Sequence, residues 1–321
     1  MARRRLRCLS MDSVSKAVSV SATAACSDEH RCFVTSEKIL PVKKVKTPLS
    51  KKVTARPGWQ QRREQLRRDL AQKPIEEISS EELEAHFEGM PPRYWEGVSE
   101  AELIWGLQCV HRFLHGVVAS PSADTPVVTN WRYFPAEGYT KVLVCTWDRL
   151  GLLAKVAGYI SALQLNIVRA EVYTRADNLV LDVFWLCNAE RQHVSDPERL
   201  QQLAFLLEGG LSEPPRFAST WACESHKFAP RSKQTTPAVV FNNEDSAEHT
   251  IMTVEASERP GLLHDMLQAL SQRNLNISEA LIDTVDDAAH DVFFVTDARK
   301  RKVLDEKELR AVERAIVEAA M

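Results

Sequence analysis

The sequence predicts an α+β fold made of two copies of one module, and three observations lead there. First, SERPGLL at 257–263 restates WDRLGLL at 147–153 at a shift of 110 positions. Second, the same shift lays Leu275-Asn276-Ile277 on Leu165-Asn166-Ile167, and a shift of 109 lays Asp291-Val292-Phe293 on Asp182-Val183-Phe184. A repeat of this length is a duplicated domain, since solenoid units recur about every 20–50 residues. Third, the apolar spacing inside each copy changes in the order strand, helix, strand, strand, helix.

Bulk properties frame the chain. Its 321 residues leave room for two or three domains. A composition of 44% hydrophobic and 26% charged residues is that of a globular protein. No apolar run reaches the length of a membrane span. Seven cysteines without a CxxC pair read as reduced thiols in an intracellular, cytoplasmic protein.

Residues 1–57 read as a disordered basic tail. Positions 1–56 hold thirteen Lys/Arg against four Asp/Glu, so the net charge of −3 divides into +9 here and −12 beyond. The opening MARRRLRCLSMDSVSKAVSVSATAAC is basic, rich in Ser and Ala and poor in acids, which is a transit-peptide composition. That sets an organelle beside the cytoplasm as the location. The plain alternative is an upstream start codon, with Met11 as another initiator.

Residues 58–118 read as a helical segment. GWQQRREQLRRDL forms one helix, Ser79 with Glu82 starts a second in capping-box form, and Pro91-Pro92 breaks the chain. A third helix begins at Ser99-Glu100-Ala101-Glu102 and runs through Ile104, Leu107, Val110 and Leu114. His111 and His115 share one face of it; with no HExxH and no third ligand in sight they count as structural, and no metal is expected.

The first module spans 125–210 and the second 236–321. Copy one reads as strand 140–147, helix 151–163, strands 166–175 and 178–187, and helix 196–208, stopped by Gly209-Gly210. Copy two reads as strand 249–257, helix 261–273, strands 276–285 and 288–297, and helix 305–319. This βαββα order implies a ferredoxin-like antiparallel sheet with two helices on one face. Each copy has an extra strand in front, at 127–133 and 238–242, joined to the next by a short polar turn. Such a strand should pair as a hairpin and close a sheet edge that would otherwise stay bare. The other sheet face shows Leu143, Cys145 and Trp147 and needs a cover, expected from a partner sheet of the other copy or of a second chain.

The turn after each first strand carries an acid (Asp148, Glu258), then a glycine (Gly151, Gly261) at a helix start, where free N–H groups favour a carboxylate or phosphate. Pro260 fits a first helical turn. DRLGLL…NIV and ERPGLL…NIS, each followed by a strand with Asp-Val-Phe, resemble the ACT domain, a small ligand-binding regulatory module. VVFNNEDSAEHTIMTVEASERPGLL at 239–263, DVFFVTD at 291–297 and GMPPRYW at 89–95 resemble, more narrowly, the C-terminal ACT pair of the PII-protein uridylyltransferases and the stretch leading into it. The likeness covers roughly residues 85–321, with plant ACT-repeat proteins more distant.

The resemblance implies a free amino acid as ligand, glutamine favoured, and nitrogen status as output. It implies that Asp148 and Glu258 meet the ammonium. Backbone N–H groups at Gly151-Leu152 and Gly261-Leu262 would hold the carboxylate, and Asn166-Ile167 and Asn276-Ile277 would orient the ligand. Glu258 stands where Asp would be expected, and its longer arm puts the second site in doubt.

Both catalytic parts of those enzymes are missing, as are GxSxG, GxGxxG and Walker motifs, so the chain is read as a non-catalytic sensor without cofactors. A related enzyme acting on PII protein and a purely structural dimerisation scaffold are the alternatives. A homodimer through sheets or helices, and no membrane, complete the expectation. RNA binding on the sheet is disfavoured, because VLDVFWLC lacks the basic-glycine-aromatic pattern and the folded part is acidic.

Overall fold

The computed structural model describes residues 58–73, 75–119, 126–210, 236–259, 261–285 and 288–321. The tail at 1–57, Pro260 and the Asp286-Asp287 turn lie outside the described residues.

Four helices come first: α1 (Trp59–Gln72), α2 (Ser80–Gly89), α3 (Tyr94–Gly97) and α4 (Glu100–Ala119). α2 opens on a complete capping box: the Ser79 hydroxyl accepts the Glu82 N–H, and Glu82 Oε2 accepts the Ser79 N–H at 3.0 Å. Ser99 and Glu102 repeat the device at α4. The one-turn α3 was not legible, because Pro91-Pro92 reads only as a break.

Copy one follows with β1 (Val127–Phe134), β2 (Tyr139–Trp147), α5 (Leu152–Ala162), β3 (Asn166–Tyr173), β4 (Leu179–Cys187) and α6 (Pro197–Gly210). Copy two has β5 (Ala238–Asn242), β6 (Thr250–Ser257), α7 (Leu262–Gln272), β7 (Asn276–Val285), β8 (Ala288–Thr296) and α8 (Glu306–Ala320). α6 does not stop before its glycines but runs through Gly210, whose carbonyl accepts the Tyr159 hydroxyl at 2.9 Å. Among the described helices, none is long and apolar enough to cross a membrane.

The strands form one antiparallel sheet of eight, in the order β1-β2-β4-β3-β7-β8-β6-β5. The leading strands pair as hairpins at the two edges: Val127–Phe134 on β2 and Ala238–Asn242 on β6. The copies join along β3 and β7, where Glu171 faces Leu281, its equivalent in the repeat. The sheet therefore has a pseudo-twofold axis at that pair, and the modules are continuous rather than discrete.

Helices α5 to α8 share one face and one core. Val156, Ile160, Leu203 and Leu207 from copy one and Met266, Leu267, Leu270 and Ile316 from copy two are buried in it. His264 on α7 bonds the Ala154 carbonyl on α5 through Nδ1 at 2.6 Å, so this histidine knits the copies together.

The opposite face of copy one is covered by helices, which corrects the expectation of a partner sheet. Leu143, Cys145, Leu179 and Leu181 pack beneath Leu66, Leu70, Trp95, Leu103, Leu107 and Phe113. The apolar stripes of α1 and α4 supply the area that the sheet face lacks. The GMPPRYW stretch anchors this cover. Trp95 is fully buried against Phe87, and Tyr94 shares a 3.2 Å hydrogen bond with His86 Nε2. Arg93 crosses to copy two, pairing with Glu279 at 3.1 Å and lying over the Phe294 ring at 4.4 Å.

Candidate functional site: a cavity at the junction of the copies

The Trp147-to-Leu152 turn is built by backbone hydrogen bonds. Asp148 N–H donates to Asn178 O at 2.8 Å, tying the turn to the β3–β4 loop, and Leu152 N–H donates to Arg149 O at 3.0 Å. Gly151 caps α5 with φ 77°, a left-handed conformation that side chains resist; Gly261 caps α7 with the same φ. Leu262 N–H likewise closes on Arg259 O at 3.1 Å. The N–H groups of Leu152 and Leu262, expected to hold a carboxylate, thus serve their own turns.

Gly151 also permits close approach: a Cβ there would lie 2.9 Å from Ser271 Oγ on α7. Gly151→Ala should destabilise the chain by about 1–2 kcal/mol through the backbone alone. Urea melts of the single variant and of Gly151→Ala with Ser271→Ala separate the two effects. The double variant should recover the steric part of the loss and keep the backbone part.

Behind the turn lies a small cavity of about 30 Å³, room for a water and little more. Copy one lines it with Asp148 through Ala154, Val172, Thr174, Val180 and Asp182; copy two adds Leu267, Ser271, Leu275, Asn276 and Ile277. Asp148, Arg149, Thr174 and Asn276 also line the broad open groove outside, so the cavity opens there. Asn276 and Ile277 thus line this cavity beside the turn of the other copy. Burial pushes the thiol of Cys187, the partner of Asn166 in the sheet, up to about 11. Each asparagine amide is anchored in its own copy: Asn166 Nδ2 donates to Asn188 O at 3.3 Å and Asn276 Nδ2 to Asp297 O at 3.2 Å.

The electrostatics of the two sites differ. In the first, Arg149 Nε and Nη2 are buried with no hydrogen-bond partner among the described residues, and so is Thr174 Oγ1. Burial pulls the Arg149 pKa down, opposed by the nearby Asp148. Asp148 stands at the rim; partial desolvation raises its carboxyl, against the Arg149 backbone N–H and Lys300. Asp182 is 1% exposed, and burial pushes its carboxyl well above the usual carboxylate range.

In the second site the equivalent groups are engaged. Arg259 donates to Ala319 O at 2.6 Å and pairs with Asp265 at 2.8 Å. Thr284, the counterpart of Thr174, donates to Glu258 Oε2 at 3.2 Å. Sequence reasoning does not single out Arg149, Thr174, Asp182 or Ser271 as site residues. The available signal was their recurrence, since Arg259, Thr284 and Asp291 hold the matching positions.

Comparison with known proteins places part of this arrangement. Residues 245–321 match the family model described as the ACR family N-terminal ACT domain, so this region is an ACT domain. The chain is 32% identical over 217 residues to a bifunctional uridylyltransferase/uridylyl-removing enzyme of Gluconobacter oxydans, covering 67% of this chain and 22% of the enzyme. It is 29% identical over 248 residues to the enzyme of the same description from Azospirillum brasilense, covering 76% of this chain and 26% of the enzyme. The chain thus corresponds to about a quarter of the length of these relatives. A structure of the regulatory subunit of aspartate kinase from Thermus thermophilus, 11% identical, covers 60% of this chain and is itself 98% covered, at a TM-score of 0.18. That overlap is too slight to bear on the fold.

Proposed function

We propose that this chain is a non-catalytic regulatory protein that senses a free amino acid at the junction of its two copies, through the first site. The observation that carries this reading is the Nε–Nη2 edge of the half-buried Arg149, buried with no hydrogen-bond partner among the described residues at a cavity that both copies line. A buried cation without a hydrogen-bond partner is costly, and a carboxylate would satisfy it bidentately. Asp148 at the rim meets the ammonium, and the Asn276 carbonyl and Thr174 hydroxyl orient the rest. The similarity to uridylyltransferases favours glutamine. Binding has to widen the cavity, and the side chain to be displaced is Leu150, which lines it and is 47% exposed. The second site is self-satisfied, because the longer Glu258 reaches Thr284.

Calorimetry of the full chain against the twenty amino acids tests this. One amino acid should bind with one site per chain, and Arg149→Ala should weaken it about ten- to a hundredfold, the worth of a charged hydrogen bond. If none binds below millimolar concentration, the copies are a scaffold and not a sensor. Labelling of PII protein on incubation with UTP and magnesium would instead make the chain an enzyme.

A further inference from the structure

We propose that Glu82, His111 and His115 form a divalent-metal site, suited to zinc, that ties α2 to α4. In the sequence the two histidines lacked a third ligand. The fold supplies one from a residue 29 positions away.

His111 and His115 lie one turn apart on α4, with ring centroids 4.1 Å apart. The N-terminal turn of α2 brings Glu82 to the same point. Glu82 Oε1 lies 3.0 Å from His111 Nδ1 and 3.8 Å from His115 Nε2, and one donor atom from each residue falls within 4.8 Å of the others. With metal–ligand bonds of about 2.0–2.2 Å, tetrahedral zinc holds its ligand atoms roughly 3.3–3.5 Å apart. The observed separations bracket that value, so small rotamer adjustments complete the set.

Two further features fit a metal site. The other carboxylate oxygen, Oε2, accepts the Ser79 N–H at 3.0 Å and lies 3.2 Å from His111 Nδ1, which fixes the carboxylate, while Oε1 is within 3.8 Å of both imidazoles. Outer hydrogen bonds of this kind orient metal ligands. His115 is 66% exposed, so the fourth position faces solvent and takes a water. Two imidazole nitrogens and one carboxylate oxygen suit zinc or cobalt, whereas magnesium and calcium require oxygen donors. A simple ion pair between Glu82 and His111 would need neither the second imidazole nor its placement beside the first.

The test uses the full chain stripped with a chelator, then titrated with zinc alone by calorimetry and with cobalt by visible absorption. One metal per chain should bind at this site, with cobalt bands typical of four or five ligands, and zinc should raise the melting temperature. His115→Ala, at an exposed position, should lower the zinc affinity roughly tenfold or more and abolish the melting shift. Glu82→Gln should do the same while keeping α2 intact, because glutamine also closes a capping box. The proposal is overturned if both variants bind zinc as wild type does, which would place the metal on other histidines or cysteines. It is equally overturned if the wild-type chain binds no zinc.

Discussion

Trp95→Ala should lower the stability of the chain by about 3–5 kcal/mol, the range for emptying a large aromatic site. Trp95 has no exposed surface and stacks on Phe87 with centroids 4.8 Å apart and planes 10° from parallel. Tyr94 packs against it in a T-shaped arrangement at 5.0 Å, and its Nε1 donates to Met90 O at 3.4 Å. Truncation leaves a void among rings that the three linked helices α2, α3 and α4 hold rigidly, and it strips the Met90 carbonyl of its donor. The void also opens in the core cluster that Leu179 and Leu181 of the sheet share, so the helical cover loses part of its grip on the sheet. Equilibrium urea melts read the outcome. The midpoint should fall with the slope unchanged if cover and sheet unfold together, and the slope should fall if the cover detaches first. Trp95→Phe should recover much of the loss. A change under about 1 kcal/mol would mean that the cover is not packed on copy one in solution.

The same residues explain how far the sequence could be read. Strands, helices and edge hairpins were legible because periodicity and turn chemistry are local, and the repeat supplied each element twice. Leu143 and Cys145 announced that a face needed covering, but an apolar face does not name its partner. The answer lay in α1 and α4, whose stripes look like those of any amphipathic helix. The site was half legible for a related reason. Asn276 was assigned to its own copy, since nothing local records that β3 and β7 join and turn its strand toward Gly151. Arg149 carries no motif in the sequence, and only the fold shows that its Nε and Nη2 are buried at the cavity. Glu82 was recognised as a helix cap, and its second role toward His111 depends on a contact across two helices.

Asp182 and Asp291, equivalent in the repeat, should make the protein less stable as pH rises from acid to neutral. Each is 1% exposed in the sheet. Asp182 accepts one long hydrogen bond, from Tyr173 N–H at 3.4 Å, and Asp291 Oδ1 has no partner among the described residues. Burial raises both carboxyls well above the usual range, reinforced by Asp148 near the first and Glu258 near the second. A carboxyl whose folded pKa exceeds its unfolded value, about 3.9, binds more protons when folded. Its contribution is fully present below the unfolded pKa and is lost as pH rises through the folded one. Glu279, raised by burial but held back by Arg93, acts in the same direction and remains as a background. Asparagine keeps the shape and cannot ionise, so Asp182→Asn and Asp291→Asn should each stabilise by about 1–3 kcal/mol at pH 8, the scale of one unsatisfied buried group. Neither should matter near pH 4. Urea midpoints of wild type and double variant between pH 4 and 8 should therefore diverge as pH rises; parallel curves would mean that water reaches both carboxyls and keeps them ordinary acids.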